Sequence, residues 1–305
     1  MTNARVPANV GALVDAVAEI FPVHKSFLVT AVDNAAESEL QRLSDYLAFC
    51  ESKGLDNDYL ADSYLTIVGD TIEEQLFFNR NKHYRHSTFA EVAESVYHDA
   101  DYMNRYMYGL AISTFLWPNH VAMLRMFRTE LPRTGGGRYL EVGPGHGFLL
   151  LTAAEVGGYE EFLAVDLSDA SVRQTETIVQ HFHPGSSVQV RKMDFLDAAD
   201  LEPHSFDAIV MGEVAEHVEE PERFLRRIAE LATADAFIFI TTCINAPAVD
   251  HIYLWRTTGA LEEMIEASGL DVVKALRLPY EGTTLAESVT RELPINVAYV
   301  LRVRA

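Results

Sequence analysis

Three glycines at alternate positions, Gly143, Gly145 and Gly147, follow the carboxylate Glu141, and a second carboxylate, Asp166, comes further along. Glycine removes Cβ where a chain turns sharply and lets a ligand approach the backbone. The apolar run Phe148 to Ala154 reads as a helix, and a helix start presents free N–H groups. A dinucleotide fingerprint places its third glycine one position later, where this chain has Phe148. Glu141, directly before the turn, disfavours an anionic pyrophosphate and suits a ligand carrying an ammonium or a sulfonium. An ordinary strand–turn–helix corner is the plain alternative. Proton transfer near neutral pH falls to histidine; His120, His146, His217 and His251 are the candidates, with His146 inside the corner itself.

Positioning these groups requires alternating elements. Tyr139, Leu140 and Val142 form a buried strand leading into the corner. Further strands are expected over 162–166, 188–192, 206–212, 236–242, 272–278 and 296–303, with helices between most of them. The alternation predicts a mainly parallel sheet with helices on both faces. Ligands in such sheets bind beyond the carboxyl ends of the strands. That places Gly212, Glu213 and the loop from Cys243 to Tyr253 beside the ligand. In that loop Asn245, Asp250, His251 and Tyr253 are candidates for polar substrate contacts, against the alternative of a structural loop.

Residues 1–131 read as helical throughout, with Val10, Leu13, Val14, Val17 and Ile20 at helical spacing. Pro118 predicts a break between two helices. Aromatic and polar residues cluster here: Phe77, Phe78, His83, Tyr84, His86, Phe89, Tyr97 and His98, then Tyr102 and Tyr106 on one helix face. Core packing explains any single ring. Together they also suit a pocket wall, since aromatic faces attract cations. The stretch Leu131-Pro-Arg-Thr-Gly-Gly-Gly137 marks a join. The division expected is therefore 1–131, a helical cap, and 132–305, the ligand-binding unit.

Residues 134–305 resemble the class I S-adenosylmethionine (SAM) dependent methyltransferases, on the corner Glu141-Val-Gly-Pro-Gly-His-Gly147, the acid ending the second strand, and Glu213-Val-Ala-Glu-His217 after the fourth. The resemblance implies a Rossmann-like seven-stranded sheet with its last strand antiparallel, beneath an N-terminal all-α cap. It implies SAM as cofactor, held by Glu141, Gly143, Pro144, Gly145, His146, Gly147, Asp166 (on the ribose) with Leu167, Asp194 and Phe195 (on the adenine), Gly212, Glu213 and His217. A packed structural histidine is the alternative for His217, and a polar turn beside a core ring for Asp194 and Phe195. His251, Tyr253, His120 and Tyr106 are the catalytic candidates. Residues 280–294 form an excursion that can cover the site.

The 305 residues carry a net charge of -21 and 49% hydrophobic residues. Such a surface repels nucleic-acid phosphates and anionic membranes, so a small-molecule substrate is expected, with no nucleic-acid or membrane partner. The two cysteines, Cys50 and Cys243, form neither a metal pattern nor a disulfide framework. A cytoplasmic setting is expected, with no signal peptide in residues 1–22 and no bilayer-spanning stretch. Three activities fit: methyl transfer to a metabolite or natural product of secondary metabolism; cyclisation of SAM alone to azetidine-2-carboxylate and methylthioadenosine; or SAM binding without turnover.

Overall fold

A computed structural model describes residues 5–93, 96, 99–133 and 135–304. Tyr97, His98 and Thr134, each singled out in the sequence, lie outside the described residues.

The helical region comprises α1 (Ala8–Ile20), α2 (Lys25–Asn34), α3 (Glu37–Ser52), α4 (Asn57–Asn81), the short α5 (Phe89–Val92), α6 (Ala100–Leu116) and α7 (Pro118–Glu130). Local chemistry sets several of its ends. The Asp56 carboxylate accepts from Tyr59 N at 2.9 Å to start α4, and Asp99 accepts from Asp101 N and Tyr102 N to start α6. Pro118 lacks an N–H and opens α7 at a position where none is needed. The break expected there is present.

The second part follows as β1 (Arg138–Val142), α8 (Phe148–Val156), β2 (Glu161–Asp166), α9 (Asp169–Phe182), β3 (Val188–Lys192), β4 (Phe206–Gly212), α10 (Pro221–Leu231), β5 (Ala232–Ile244), α11 (Thr258–Ala267), β6 (Leu270–Pro279), α12 (Leu285–Thr290) and β7 (Ile295–Val303). These strands form one seven-stranded sheet in the order β3-β2-β1-β4-β5-β7-β6. β1 to β5 pair in parallel, and β7 runs antiparallel to both β5 and β6. The Rossmann-like α/β arrangement and the antiparallel last strand are as expected.

Side chains alternate across each strand, so the sheet feeds two cores. Leu140, Val142, Ile209, Met211, Ile238 and Ile240 pack with α10 and α11. Tyr139, Ala208, Val210 and Phe239 pack instead with Met123, Met126 and Phe127 of α7 and Leu150 of α8. A third core joins Leu13, Leu43, Tyr46, Tyr64 and Phe115 of the helical region to Phe148 and Leu151 of α8 and Ile178 of α9. Each such buried side chain stabilises by about 1.5–3 kcal/mol. The Phe148 ring meets Tyr46 edge-on at 5.2 Å and Phe115 at 4.9 Å, so the residue directly after the glycine corner is seated among the helices that cover the sheet.

Candidate active site

The corner between β1 and α8 is built by backbone. Gly143 has φ 65° and its N–H donates to Val165 O at 2.8 Å, tying the turn to β2. A Cβ on Gly143 would lie 2.5 Å from Val214 Cγ2 in the loop after β4, so glycine is needed there for packing as well as for φ. Gly145 has φ 54°, but a Cβ on it would meet only Met107 Cε, at 3.9 Å. That side of the loop is not closed by close packing. His146 spans two elements: its Nδ1 accepts from Phe148 N at 3.3 Å and its Nε2 faces Thr114 Oγ1 of α6 at 3.1 Å. Burial holds its pKa near 4, so the ring is neutral and acts as a tie between corner and cap.

Asp166 closes the other side. Its carboxylate accepts from Ser168 N at 2.8 Å and Ser171 Oγ at 2.6 Å, and it also takes the N–H groups of Gly145 and Leu167. Burial raises its pKa against those bonds. Leu167 beside it is half exposed, an apolar side chain left on the surface next to the corner. Asp194 is exposed and accepts from Leu196 N at 2.9 Å.

Two residues expected to touch the cofactor are enclosed instead. Phe195 belongs to the core, with its ring 5.6 Å from that of Phe224 in α10. Glu141 is 1% exposed. Period two along β1 puts it on the same face as Tyr139, whose phenol donates to Glu141 Oε2 at 2.5 Å. The carboxyl also takes the N–H of Leu150 in the first turn of α8. Burial lifts its pKa to about 8. The carboxylate thus anchors the helix that follows the corner, and no open face of it points at a ligand.

Beyond β4 and β5 lies a dense polar network. Glu213 sits at φ 51° and Asn245 at φ 49°, left-handed conformations that non-glycine residues rarely hold. Burial raises both the Glu213 and Glu216 carboxyls, and the two also act on each other. Glu216 Oε2 accepts from Thr242 Oγ1 at 2.6 Å. His217 Nδ1 lies 3.0 Å from the Asp250 carbonyl and 3.4 Å from Asp250 Oδ2. Asp250 Oδ1 accepts the Tyr106 phenol of α6 at 3.0 Å. Tyr106 stacks on Tyr102 with centroids 5.8 Å apart, and Tyr102 donates to Asp70 Oδ2 at 2.6 Å. The cap and both loops therefore meet in one hydrogen-bonded set.

Of the catalytic candidates, Tyr106 lies within that set. His251 lies at its edge: its ring is 4.7 Å from that of His217, edge to face, and its Nδ1 donates to Ala246 O at 2.7 Å. Burial, with His217 adding to it, brings the His251 pKa to about 4. His120 faces Ser113 Oγ at 3.1 Å and is likewise held near 4, by burial first and His146 second. Tyr253 lies apart, its ring 4.6 Å from Trp255 and its phenol near Glu222 of α10. Among the described residues, two triplets offer donor atoms within 4.8 Å of one another: Glu216, Cys243 and His251, and His217, Asp250 and His251. The Asp250 link to His217 and Tyr106 was not foreseen; its only sequence signal was a place in the loop after the fifth predicted strand.

Residues 140–240 match the methyltransferase domain family. The chain is 27% identical over 195 residues to the ubiquinone biosynthesis O-methyltransferase of Nitrosospira multiformis, covering 57% of this chain and 78% of that one. It is 36% identical over 124 residues to the enzyme of the same name from Xanthomonas campestris, covering 40% and 48%. A phospholethanolamine N-methyltransferase 2 of Haemonchus contortus, solved with phosphomonomethylethanolamine and S-adenosylhomocysteine, shares the fold at TM-score 0.52 and 16% identity, covering 71% of this chain and 60% of that one. A methyltransferase structure from Bacillus halodurans aligns at TM-score 0.50 and 10% identity, over 60% of this chain and all (100%) of that one. With the open face of Gly145 and the Asp166 carboxylate on either side of the corner, the residues present fit SAM. Over residues 140–240 the chain is similar to SAM-dependent methyltransferases, and SAM is the cofactor that this match supports.

Proposed function

We propose that this methyltransferase acts on a small-molecule acceptor, a metabolite or natural product, enclosed between α6 and the loops after β4 and β5. One observation carries the reading: Tyr106 of the cap closes onto Asp250 and His217 beyond the strand ends. That contact brings the cap over the strand ends, where a small acceptor would be enclosed. The relatives named for ubiquinone biosynthesis support a small acceptor, and the net charge of -21 disfavours phosphate polymers.

SAM supplies a methyl group on a sulfonium that is already a good leaving group. The chain's task is to orient the acceptor, exclude water and hold a proton. In this reading Asp166 takes the ribose, the corner from Gly143 to Gly147 lies under the donor, and Gly212, Glu213 and His217 border it. Residues 1–131 cover the site and residues 132–305 hold the cofactor. Among the described residues no helix is long and apolar enough to cross a membrane. The buried free thiols Cys50 and Cys243 suit a reducing cytoplasm.

The test is conversion of SAM to S-adenosylhomocysteine with a panel of small acceptors. Formation of S-adenosylhomocysteine only when an acceptor is present supports the reading. Methylthioadenosine released from SAM alone would overturn it.

A further inference from the structure

His217 and Asp250 come from different loops and meet beyond the strand ends. The two Asp250 oxygens nearest the ring, the carbonyl at 3.0 Å and Oδ2 at 3.4 Å, are both acceptors. Nδ1 therefore carries the proton, and Nε2 keeps its lone pair. Asp250 is fixed in turn by the Tyr106 phenol on Oδ1. The Asp250 side chain is 3% exposed, while 18% of the His217 side chain is open. The carboxylate sits behind the ring, and part of the ring remains accessible. One imidazole nitrogen held by the Asp250 carbonyl with its buried carboxylate close by, and the other without a hydrogen-bond partner among the described residues, is an arrangement that suits a general base. Burial holds His120, His146 and His251 each near pKa 4, too weakly basic to take a proton efficiently near neutrality.

We infer that His217 is the proton acceptor of the transfer and that Asp250, held by Tyr106, is its positioning residue. The inference rests on the small-molecule reading above and narrows it: the acceptor is a hydroxyl compound, a phenol or an enol. Its O–H proton passes to His217 Nε2. An oxygen lone pair forms the new O–CH3 bond, and the S–CH3 bond breaks with its electron pair going to sulfur, which becomes neutral. The imidazolium, paired with Asp250, then gives its proton to water. An amine acceptor would shed its proton to solvent before binding and would not need this pair. Among the described residues, the titratable groups around the ring are Glu213 and Glu216 from its own loop, Cys243, Asp250 and His251 from the loop after β5, and Tyr106 from α6.

Long-range 1H–15N NMR of histidine-labelled protein reads the pair without any acceptor, with His217→Gln assigning the signal. The expected result is the Nδ1–H tautomer, with a larger share of Nε2–H in Asp250→Asn. Tyr106→Phe, which removes the phenol from Asp250 Oδ1, is expected to loosen the carboxylate and raise the Nε2–H share as well, and serves if Asp250→Asn does not fold. An Nε2–H tautomer in the wild type, or a tautomer ratio indifferent to both substitutions, overturns the inference. So does Zn2+ or Mn2+ that binds the wild type and not His217→Gln, because the ring is then a ligand. With SAM and 3,4-dihydroxybenzoate as probe, His217→Gln is expected to lower kcat at saturating SAM by about 10²–10⁴-fold and to flatten the acid limb of the pH–rate profile. A loss of less than about threefold overturns the base role. S-adenosylhomocysteine formed from amines but not from hydroxyl probes defeats this inference alone; none formed from any small acceptor defeats the small-molecule reading with it.

Discussion

The Tyr139 phenol donates to Glu141 Oε2 at 2.5 Å, two residues apart on one strand and sealed beneath α8. Burial outweighs that bond and the Leu150 N–H, and raises the Glu141 pKa to about 8. The folded state therefore holds a proton that the unfolded chain releases above its ordinary value of 4.5. Stability from this group is full below that value and is lost as pH rises towards 8, at about 1.4 kcal/mol per unit as an upper limit. Glu141→Gln removes the titration. Melting temperature measured from pH 5 to 9 is expected to fall more steeply for wild type than for the variant; parallel curves would refute the assignment.

Gly143 and Gly145 separate packing from ligand approach. Gly143→Ala puts Cβ 2.5 Å from Val214 Cγ2 at φ 65°, and is expected to cost about 2–4 kcal/mol in denaturant unfolding. Adding Val214→Ala should recover part of that loss, since it removes the clash and leaves the backbone strain. Gly145→Ala meets only Met107 Cε at 3.9 Å. It is expected to cost about 1 kcal/mol of stability and to show its main effect as weaker S-adenosylhomocysteine binding in calorimetry.

Asp166→Asn keeps the shape of the side chain and removes its charge. Ser168 N can still donate to the amide oxygen, and Ser171 Oγ can turn to accept from the amide NH2, so the fold is expected to persist. The lost charge-assisted bonds to the ribose hydroxyls should raise the S-adenosylhomocysteine Kd by about 10- to 100-fold. An unchanged Kd would remove Asp166 from the cofactor site.

Thr114→Val tests the tie between corner and cap. Thr114 Oγ1 stands 3.1 Å from His146 Nε2 and donates to Leu110 O at 3.0 Å. The valine leaves the buried His146 N–H without its acceptor, an expected cost of about 1–3 kcal/mol. Weaker cofactor binding should accompany the stability loss, because His146 also holds Phe148 N at the start of α8.

The order of strands, the glycine corner and the carboxylate ending β2 were legible because each depends on neighbours within a few residues. Period two along β1 puts Glu141 and Tyr139 on one face, but it does not say which layer covers that face; from sequence Glu141 is expected to face the ligand. Phe195 shows the same gap: adjacent to the exposed Asp194, it turns inward because Phe224 of α10 offers a core there. The Asp250 contacts were not legible, since Tyr106 lies 144 residues away and His217 33. Nor does any local rule put Glu213 and Asn245 at positive φ without a glycine; packing beyond the strand ends imposes it.

Phe148 is both the first residue of α8 and a member of the core formed by the N-terminal helices. Exchanging covers between relatives to alter specificity would therefore fail at a splice in the Leu131–Gly137 stretch. A transplanted lid must bring its own partner for that ring. The seam between the two parts runs through the face of α8, so a graft would have to cut there.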